Sequence, residues 1–378
     1  MAIAGIGPGG AVAGVNFYGP IGVASGLGSA ARGYLAALRA AGVPIALTPI
    51  HEIFVHQHGI GSAERRQRPR YPIAIAHINA DSVDRFLHFH SRSFARAAYK
   101  IGIWVWELPA FRDEFCSALR HFDEIWVPSS FCRRAVAALT EKPVMVMPHV
   151  VLPIESPPPG YRERLQIGQN EFVFLYMFDA TSVVERKNPR CLVDAFEAAF
   201  PEPDRVRLVL KVSNADSDPE FAGYLDALAE RNARCLVMRE MMDAAELAEL
   251  VHACDCYVSP HRSEGFGMTV AEAMALGVPV IATDYGGTVD FVTEETGFPL
   301  RYQLIELERD YGPYASGAIW ADPSLDHLRE LLWGVAGDRR EAAARARRAR
   351  AHIVENYSAA AIGRRIADRL AVIAGAQA

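Results

Sequence analysis

The sequence predicts an α/β protein made of two successive domains, each a parallel sheet covered by helices. Three observations carry this. Short apolar runs alternate with amphipathic segments along the chain, the pattern of repeated β-α-β units. The alternation breaks at Pro153–Gly160 (PIESPPPG), where three consecutive prolines can neither pair in a sheet nor continue a helix. A length of 378 residues, 51% hydrophobic and 22% charged, suits two globular domains rather than one.

In the first domain, placed at 1–153, Val12–Tyr18 reads as the opening strand, Ser29–Ala41 as a helix stopped by Gly42, and Pro44–Leu47 as the next strand. Strands at Ile73–Ile78, Ile101–Val105 and Ile125–Val127 follow, with helices at Phe111–Phe122 and Ser130–Leu139, and Val144–Met147 closes the unit. The second domain, 161–356, repeats the scheme. Its strands are Phe172–Phe178, Val206–Val212, Leu236–Met238, Cys256–Ser259 and Val280–Thr283, with a helix at Pro189–Phe200. Beyond Leu325 the chain reads as helical, rich in alanine and arginine. An interruption near Tyr357 lets a last helix, 357–378, cross back to the first domain.

Composition excludes several classes. A formal charge of -6 gives no global reason to bind nucleic acid. The six cysteines show no zinc spacing and read as reduced thiols. No apolar run reaches the roughly 18 residues of a membrane helix, and the opening segment lacks a basic leader, so a cytoplasmic location is expected. Any membrane contact is then peripheral, at the inner face; the arginine-rich stretch Arg339–Arg350 is its candidate, though it reads first as a solvated helix face. Asp216-Ser217-Asp218 lies in a polar loop and reads as turn chemistry, so no metal and no cofactor are expected.

The segment Ser259–Thr283, SPHRSEGFGMTVAEAMALGVPVIAT, concentrates the chemistry. A strand ends at Ser259, a loop with Gly265 and Gly267 follows, and Thr269 with Glu272 reads as a capping box opening a helix that Gly277 stops. A glycine-rich turn feeding a helix N-terminus presents free N–H groups and a positive dipole end, which suits a diphosphate. Glu264 and Glu272 flank the turn. Taken alone, a capping Glu272 and a solvated Glu264 fit the spacing too. Carboxylates repel phosphate, so their sensible partners in a ligand are hydroxyls, of a ribose and of a sugar.

Glu264 to Glu272 with GFG between them resembles the E-x7-E motif of retaining GT-B glycosyltransferases, and HRSEGFGMTVAEAMALGVPVIAT resembles glycosyltransferase family 4. The resemblance implies two Rossmann-like domains facing a central cleft and metal-independent transfer of a hexose from a nucleotide-diphosphate sugar. It places Glu264 on the transferred sugar, Glu272 on the ribose, and the Phe266–Met268 amides, with Gly265, Gly267 and His261 beside them, on the donor. It also implies a basic pair after the first strand of the second domain. In FDATSVVERKNP, Lys187 matches the lysine, but Ser182 stands where the family's arginine is expected. Either Arg186 or Lys211 replaces it. Arg239 and Glu240 follow a strand where the family holds the base, and a surface role fits them equally well. In the first domain Ser25–Ser29, with Gly28, matches the family's glycine-rich loop. A dinucleotide fingerprint fits it less well, because the glycines come late after the strand and no acidic residue closes the next one.

On the acceptor side, IGIWVWELP has Trp106 and Glu107 where family members often carry a histidine, and Glu107 fits an acceptor ligand, a base or a structural carboxylate. His77, His88 and His90 read as structural. The resemblance to mannosyltransferase-like members points to a GDP-mannose donor, then to UDP-hexoses, and to a glycan or lipid-linked acceptor. The rival readings are a nucleotide-sugar epimerase of the same fold, a non-catalytic nucleotide-sugar-binding subunit and, last, a dinucleotide oxidoreductase.

Overall fold

The computed structural model describes residues 13–53, 64–152, 160–164, 167–168, 170–201 and 205–377. The start of the expected first strand at Val12, and most of the proline-rich linker, lie outside them. The chain divides into two compact units, Met1–Leu152 with Glu355–Ala378, and Pro153–Val354.

The first unit is built on β1 (Val15–Gly19), α1 (Gly26–Ala40), β2 (Ile45–Pro49), β3 (Ile73–His77), α2 (Val83–Phe94), β4 (Tyr99–Ile103), β5 (Glu124–Val127), α3 (Ser130–Ala137) and β6 (Val144–Val146). Its six strands run parallel in the order β2-β1-β3-β4-β5-β6. They are near-continuous apolar runs because helices cover both faces of such a sheet. The Ser25 hydroxyl accepts from Gly28 N and starts α1 three residues before the sequence-based expectation. The segment expected as a helix at Phe111–Phe122 forms successive 3-10 turns at Asp113–His121, where only Ala118 and Leu119 are buried.

The terminal helix Ala359–Gln377 belongs to this unit and packs on α1. Ile362, Ile366, Leu370 and Ile373 join Tyr34, Leu35 and Leu38 in one core cluster. Each such side chain contributes about 1.5–3 kcal/mol by leaving water. Gly363 permits the close approach, since a Cβ there would stand 2.5 Å from Ala37 O. A buried ion pair fastens the same helix: Arg369 bonds both oxygens of the fully buried Glu124, at 2.9 and 2.6 Å, and Trp126 Nε1 and Tyr99 OH complete that carboxylate.

The second unit contains α4 (Tyr161–Arg164), β7 (Phe172–Asp179), α5 (Val184–Lys187), α6 (Pro189–Ala199), β8 (Val206–Ser213), α7 (Pro219–Arg231), β9 (Cys235–Met238), α8 (Ala244–Ala253), β10 (Cys256–Ser259), α9 (Met268–Ala275), β11 (Val280–Thr283), β12 (Phe298–Leu300), β13 (Tyr302–Glu306), β14 (Ile319–Pro323), α10 (Leu325–Gly337) and α11 (Arg339–Tyr357). The parallel order is β12-β11-β10-β7-β8-β9, and β13 and β14 form a separate antiparallel hairpin. The order reverses between β7 and β10, the switch point beyond whose carboxyl ends open α/β sheets bind ligands. Both of the segments that carry the candidate site leave the sheet there.

Candidate active site

β10 ends at Ser259 and delivers the loop that enters α9. The helix begins one residue before Thr269. Its N-cap is Gly267, at φ +88°, and no side chain caps it. The expected Thr269–Glu272 capping box is therefore not formed, because glycine adopts the left-handed turn that sets the helix start and leaves Thr269 inside the first turn. The α9 N-terminus thus carries no side-chain oxygen of its own, and its first N–H groups keep their capacity for an anion. At the other end Gly277 N bonds Met274 O and Val278 N bonds Ala273 O, a Schellman stop with Gly277 at φ +76°.

The basic pair arrives from β7. Asp179 accepts from Thr181 N to start a tight turn, and α5 is then bracketed by Val183 (φ +63°) and Asn188 (φ +54°). A β-branched residue in that region carries roughly 1–3 kcal/mol of strain, which the surroundings hold in place. Tyr176 OH donates to Lys187 O at 2.7 Å, Asn188 Nδ2 to Pro260 O at 3.2 Å, and Arg262 N to Arg186 O at 2.7 Å. These bonds stitch α5 to the loop after β10.

The two segments meet at one carboxylate. Lys187 Nζ donates to Glu264 Oε1, and Arg186 Nη1 lies 3.3 Å from the same oxygen while donating to Ser263 O at 2.8 Å. Arg186 is 4% and Glu264 15% exposed. Burial alone would raise the Glu264 carboxyl, but Lys187 and Arg186 outweigh it and hold it down to about 2. Two cations against one carboxylate leave the cluster positive. Arg186 Nε also donates to Ser182 O, so the guanidinium lies over the residue that replaces the family's arginine. Glu272, one turn into α9, has no such partners, and burial pushes its carboxyl up to about 7.

His261, expected to contact the donor, is fully buried. Its Nε2 faces Tyr285 O at 3.0 Å, so that nitrogen carries the proton and Nδ1 accepts from Ser259 Oγ. Burial, opposed by Glu264, lowers this histidine to about 4 and keeps it neutral. It ties the Glu264 loop to the turn after β11. That turn went unnoticed in the sequence, although Gly286-Gly287 directly after a strand signals close backbone approach. Gly287 N bonds Glu264 O at 2.7 Å, and a Cβ at Gly287 would collide with the Gly265 carbonyl.

The other expected site residues are held by contacts within their own units. Arg239 bonds Ala222 O and Asp226 of α7, both at 2.8 Å, because these acceptors lie within its reach. Lys211 is buried and bonds Ser213 Oγ at 3.3 Å, and burial lowers its pKa. It is Arg186, not Lys211, that reaches Glu264. In the first unit a Cβ on Gly28 would collide with Val23 O, so this glycine is required for the first turn of α1. Trp106 is buried, with Nε1 donating to Ala110 O at 2.7 Å, and Glu107 beside it is half-buried. His77 is fully buried, and Asn79 Oδ1 accepts from Val105 N. Among the described residues no group of three or more His, Cys, Asp or Glu is placed to hold a metal ion. No helix among them is long and apolar enough to cross a membrane.

Comparison with known proteins fits this geometry. The solved structure of HepE from Anabaena, in complex with UDP and glucose, superposes with a TM-score of 0.67 over 95% of this chain and 100% of that one, at 16% identity. Two parallel six-stranded sheets of this topology define a GT-B protein. The chain has the GT-B fold, and its residues 172–306 match the family described as Glycosyl transferases group 1. The lipopolysaccharide core biosynthesis mannosyltransferase LpsB of Rhizobium meliloti (strain 1021) is 36% identical over 122 residues, 30% of this chain and 34% of that protein. The D-inositol 3-phosphate glycosyltransferase of Xylanimonas cellulosilytica is 34% identical over 137 residues, 35% of this chain and 31% of that protein. The matched segment thus spans about a third of the length of these relatives.

Proposed function

We propose that the protein transfers a hexose from a nucleotide-diphosphate sugar to a glycan or lipid-linked acceptor, with retention at the anomeric carbon and without a metal. The observation that carries this reading is the meeting of Arg186 and Lys187 at Glu264, in the loop that leads to the uncapped N-terminus of α9. The departing diphosphate gains negative charge as its bond to the sugar breaks. Fixed cations and N–H groups at such a point contribute about 10²–10³ in rate each. Lys187 and Arg186 supply the counter-charge. Glu264, released from them by the diphosphate, accepts hydrogen bonds from hydroxyls of the transferred sugar, and Glu272 accepts from the ribose.

Retention follows when the acceptor oxygen bonds the anomeric carbon on the face the diphosphate leaves, while a departing phosphate oxygen takes the acceptor proton. No side chain of the cluster is placed as a covalent nucleophile in this scheme. The likeness to LpsB favours mannose, and therefore GDP-mannose, over the UDP-hexoses.

The test is release of GDP or UDP from GDP-mannose and UDP-glucose, given a bacterial lipid extract and an oligosaccharide panel as acceptors, with EDTA present. Wild type is expected to turn over one donor, and Glu264→Ala to lose about 10²-fold or more in kcat. Unchanged turnover in the variant, or loss of activity in EDTA, contradicts the reading.

A further inference from the structure

The β13–β14 hairpin stands outside the parallel sheet of the second unit, and its closing segment reaches the candidate site. A two-stranded hairpin is marginal by itself in water, so it is held by what it packs on. β13 is largely exposed, whereas Trp320 and Ala321 of β14 are buried. They meet the loop after β10. Ala321 N donates to Arg262 O at 2.9 Å, Arg262 Nη2 donates to Asp322 Oδ1 at 3.1 Å, and the Arg262 guanidinium carbon lies 5.5 Å from the centre of the Trp320 ring. Arg262 N in turn donates to Arg186 O at 2.7 Å. The hairpin is thus one residue away from the backbone of Arg186.

The segment that joins the two strands reaches the Arg186 side chain as well. Tyr311 N donates to Tyr314 O and Tyr314 N to Tyr311 O, at 2.8 and 3.0 Å, which closes a tight turn over Gly312, at φ +56°, and Pro313. A Cβ on Gly312 would stand 3.1 Å from Val183 Cγ2, so this turn seats on the positive-φ residue that opens α5. Tyr314 is 4% exposed, and its ring centre lies 6.0 Å from the Arg186 guanidinium carbon. Two physical needs meet here. A strained residue such as Val183 persists only where its surroundings over-determine it. A long arginine side chain carries rotamer freedom that has to be removed before its charge stands at one place.

We propose that Tyr314 is the positioning residue of Arg186: its ring and the Gly312 turn hold the guanidinium at Glu264, where a departing diphosphate needs it. Tyr314 is buried and acts through Arg186. A cation over an aromatic face in a desolvated site is held by the ring quadrupole, which is worth about ten-fold in an equilibrium. The inference rests on the proposed transfer, in which Arg186 supplies counter-charge.

A double-mutant cycle on donor turnover tests it. Tyr314→Met keeps apolar bulk and removes the ring face, and it should lower kcat about ten-fold while changing KM far less. Tyr314→Phe should restore most of kcat. In an Arg186→Met background Tyr314→Met should cost nothing more, because the group it positions is gone. An unaffected Tyr314→Met, a Tyr314→Phe as slow as Tyr314→Met, or the same loss in the Arg186→Met background overturns the proposal. A second readout needs no substrate. In protein carrying isotope-labelled arginine, the Arg186 Nε–H, which donates to Ser182 O at 3.3 Å, should exchange with solvent about ten-fold faster in Tyr314→Met than in wild type or Tyr314→Phe. Equal exchange in all three overturns the positioning. Wild type that turns over no donor while this difference stands refutes the transfer and supports the positioning.

Discussion

Lys187 and Glu264 stand 77 residues apart in sequence and share a hydrogen bond from Nζ to Oε1. The lysine comes from the turn after β7 and the carboxylate from the turn after β10, neighbouring strands at the point where the sheet order reverses. The pair explains why a buried carboxylate stays ionised, and Arg186 at the same oxygen leaves the cluster an excess of positive charge.

Lys187→Met should lower kcat about 10²–10³-fold, the loss typical of one preorganised donor at a developing charge. It should also release Glu264 upward from about 2 toward its ordinary 4.5, since burial then faces Arg186 alone. In wild type this depressed pKa gives stability that is complete above pH 4.5 and is lost as pH falls toward 2. Thermal unfolding of the two proteins across that range should therefore converge at its acid end. Parallel curves would show that Lys187 does not set the Glu264 charge.

Glu272 has the opposite sign. Burial raises it from 4.5 to about 7, so the folded protein holds the proton more tightly than the unfolded chain does. The resulting penalty is absent below pH 4.5, grows as pH rises from there toward 7, and is constant above it. Glu272→Gln, which keeps the neutral shape, should gain on wild type by on the order of 1–3 kcal/mol between those limits. Measurement of Tm against pH for both proteins checks this, and a difference that does not vary with pH contradicts it.

Breaking the Glu124–Arg369 pair should cost stability rather than chemistry. Glu124 is fully buried, so Arg369→Ala leaves an uncompensated charge and should destabilise by about 3–5 kcal/mol. Denaturant unfolding measures it. A loss below about 1 kcal/mol, the range of an exposed pair, would show that the terminal helix does not depend on this anchor.

Gly287→Ala should act on the Glu264 loop from behind. The added methyl meets the Gly265 carbonyl and the Phe266 Cα, backbone that cannot rotate away. The variant is expected to lose about 1–3 kcal/mol and most donor turnover, since overpacking shifts the loop that holds Glu264. Wild-type activity in a folded variant would show the loop to be more yielding than this contact requires.

The strands were legible because buried parallel strands such as Phe172–Asp179 and Val280–Thr283 are apolar on both faces and stand out as runs. Helix α2 escaped notice because its sequence, VDRFLHFHSRSF, mixes histidine, arginine and phenylalanine, and its inward face appears only when wound at 3.6 residues per turn. The β13–β14 hairpin also escaped, since Gln303, Glu306 and Asp322 dilute its apolar pattern. At the site, Glu264, Lys187 and the glycine turn could be read from their motifs. The choice between Arg186 and Lys211 could not, because the approach of Arg186 to Glu264 depends on the positive φ of Val183 ahead of α5. Nor could the burial of His261, whose partners Tyr285 and Thr288 come from the next strand's turn.

The most direct test of the account is a thermal-shift panel of UDP, GDP, ADP and NAD on wild type and Lys187→Met, without added metal. One nucleoside diphosphate, at ~100 times its Kd, should stabilise wild type by about 2.7 kcal/mol and the variant far less. Stabilisation by NAD instead, or an equal shift in both proteins, would contradict a diphosphate site at Lys187 and Glu264.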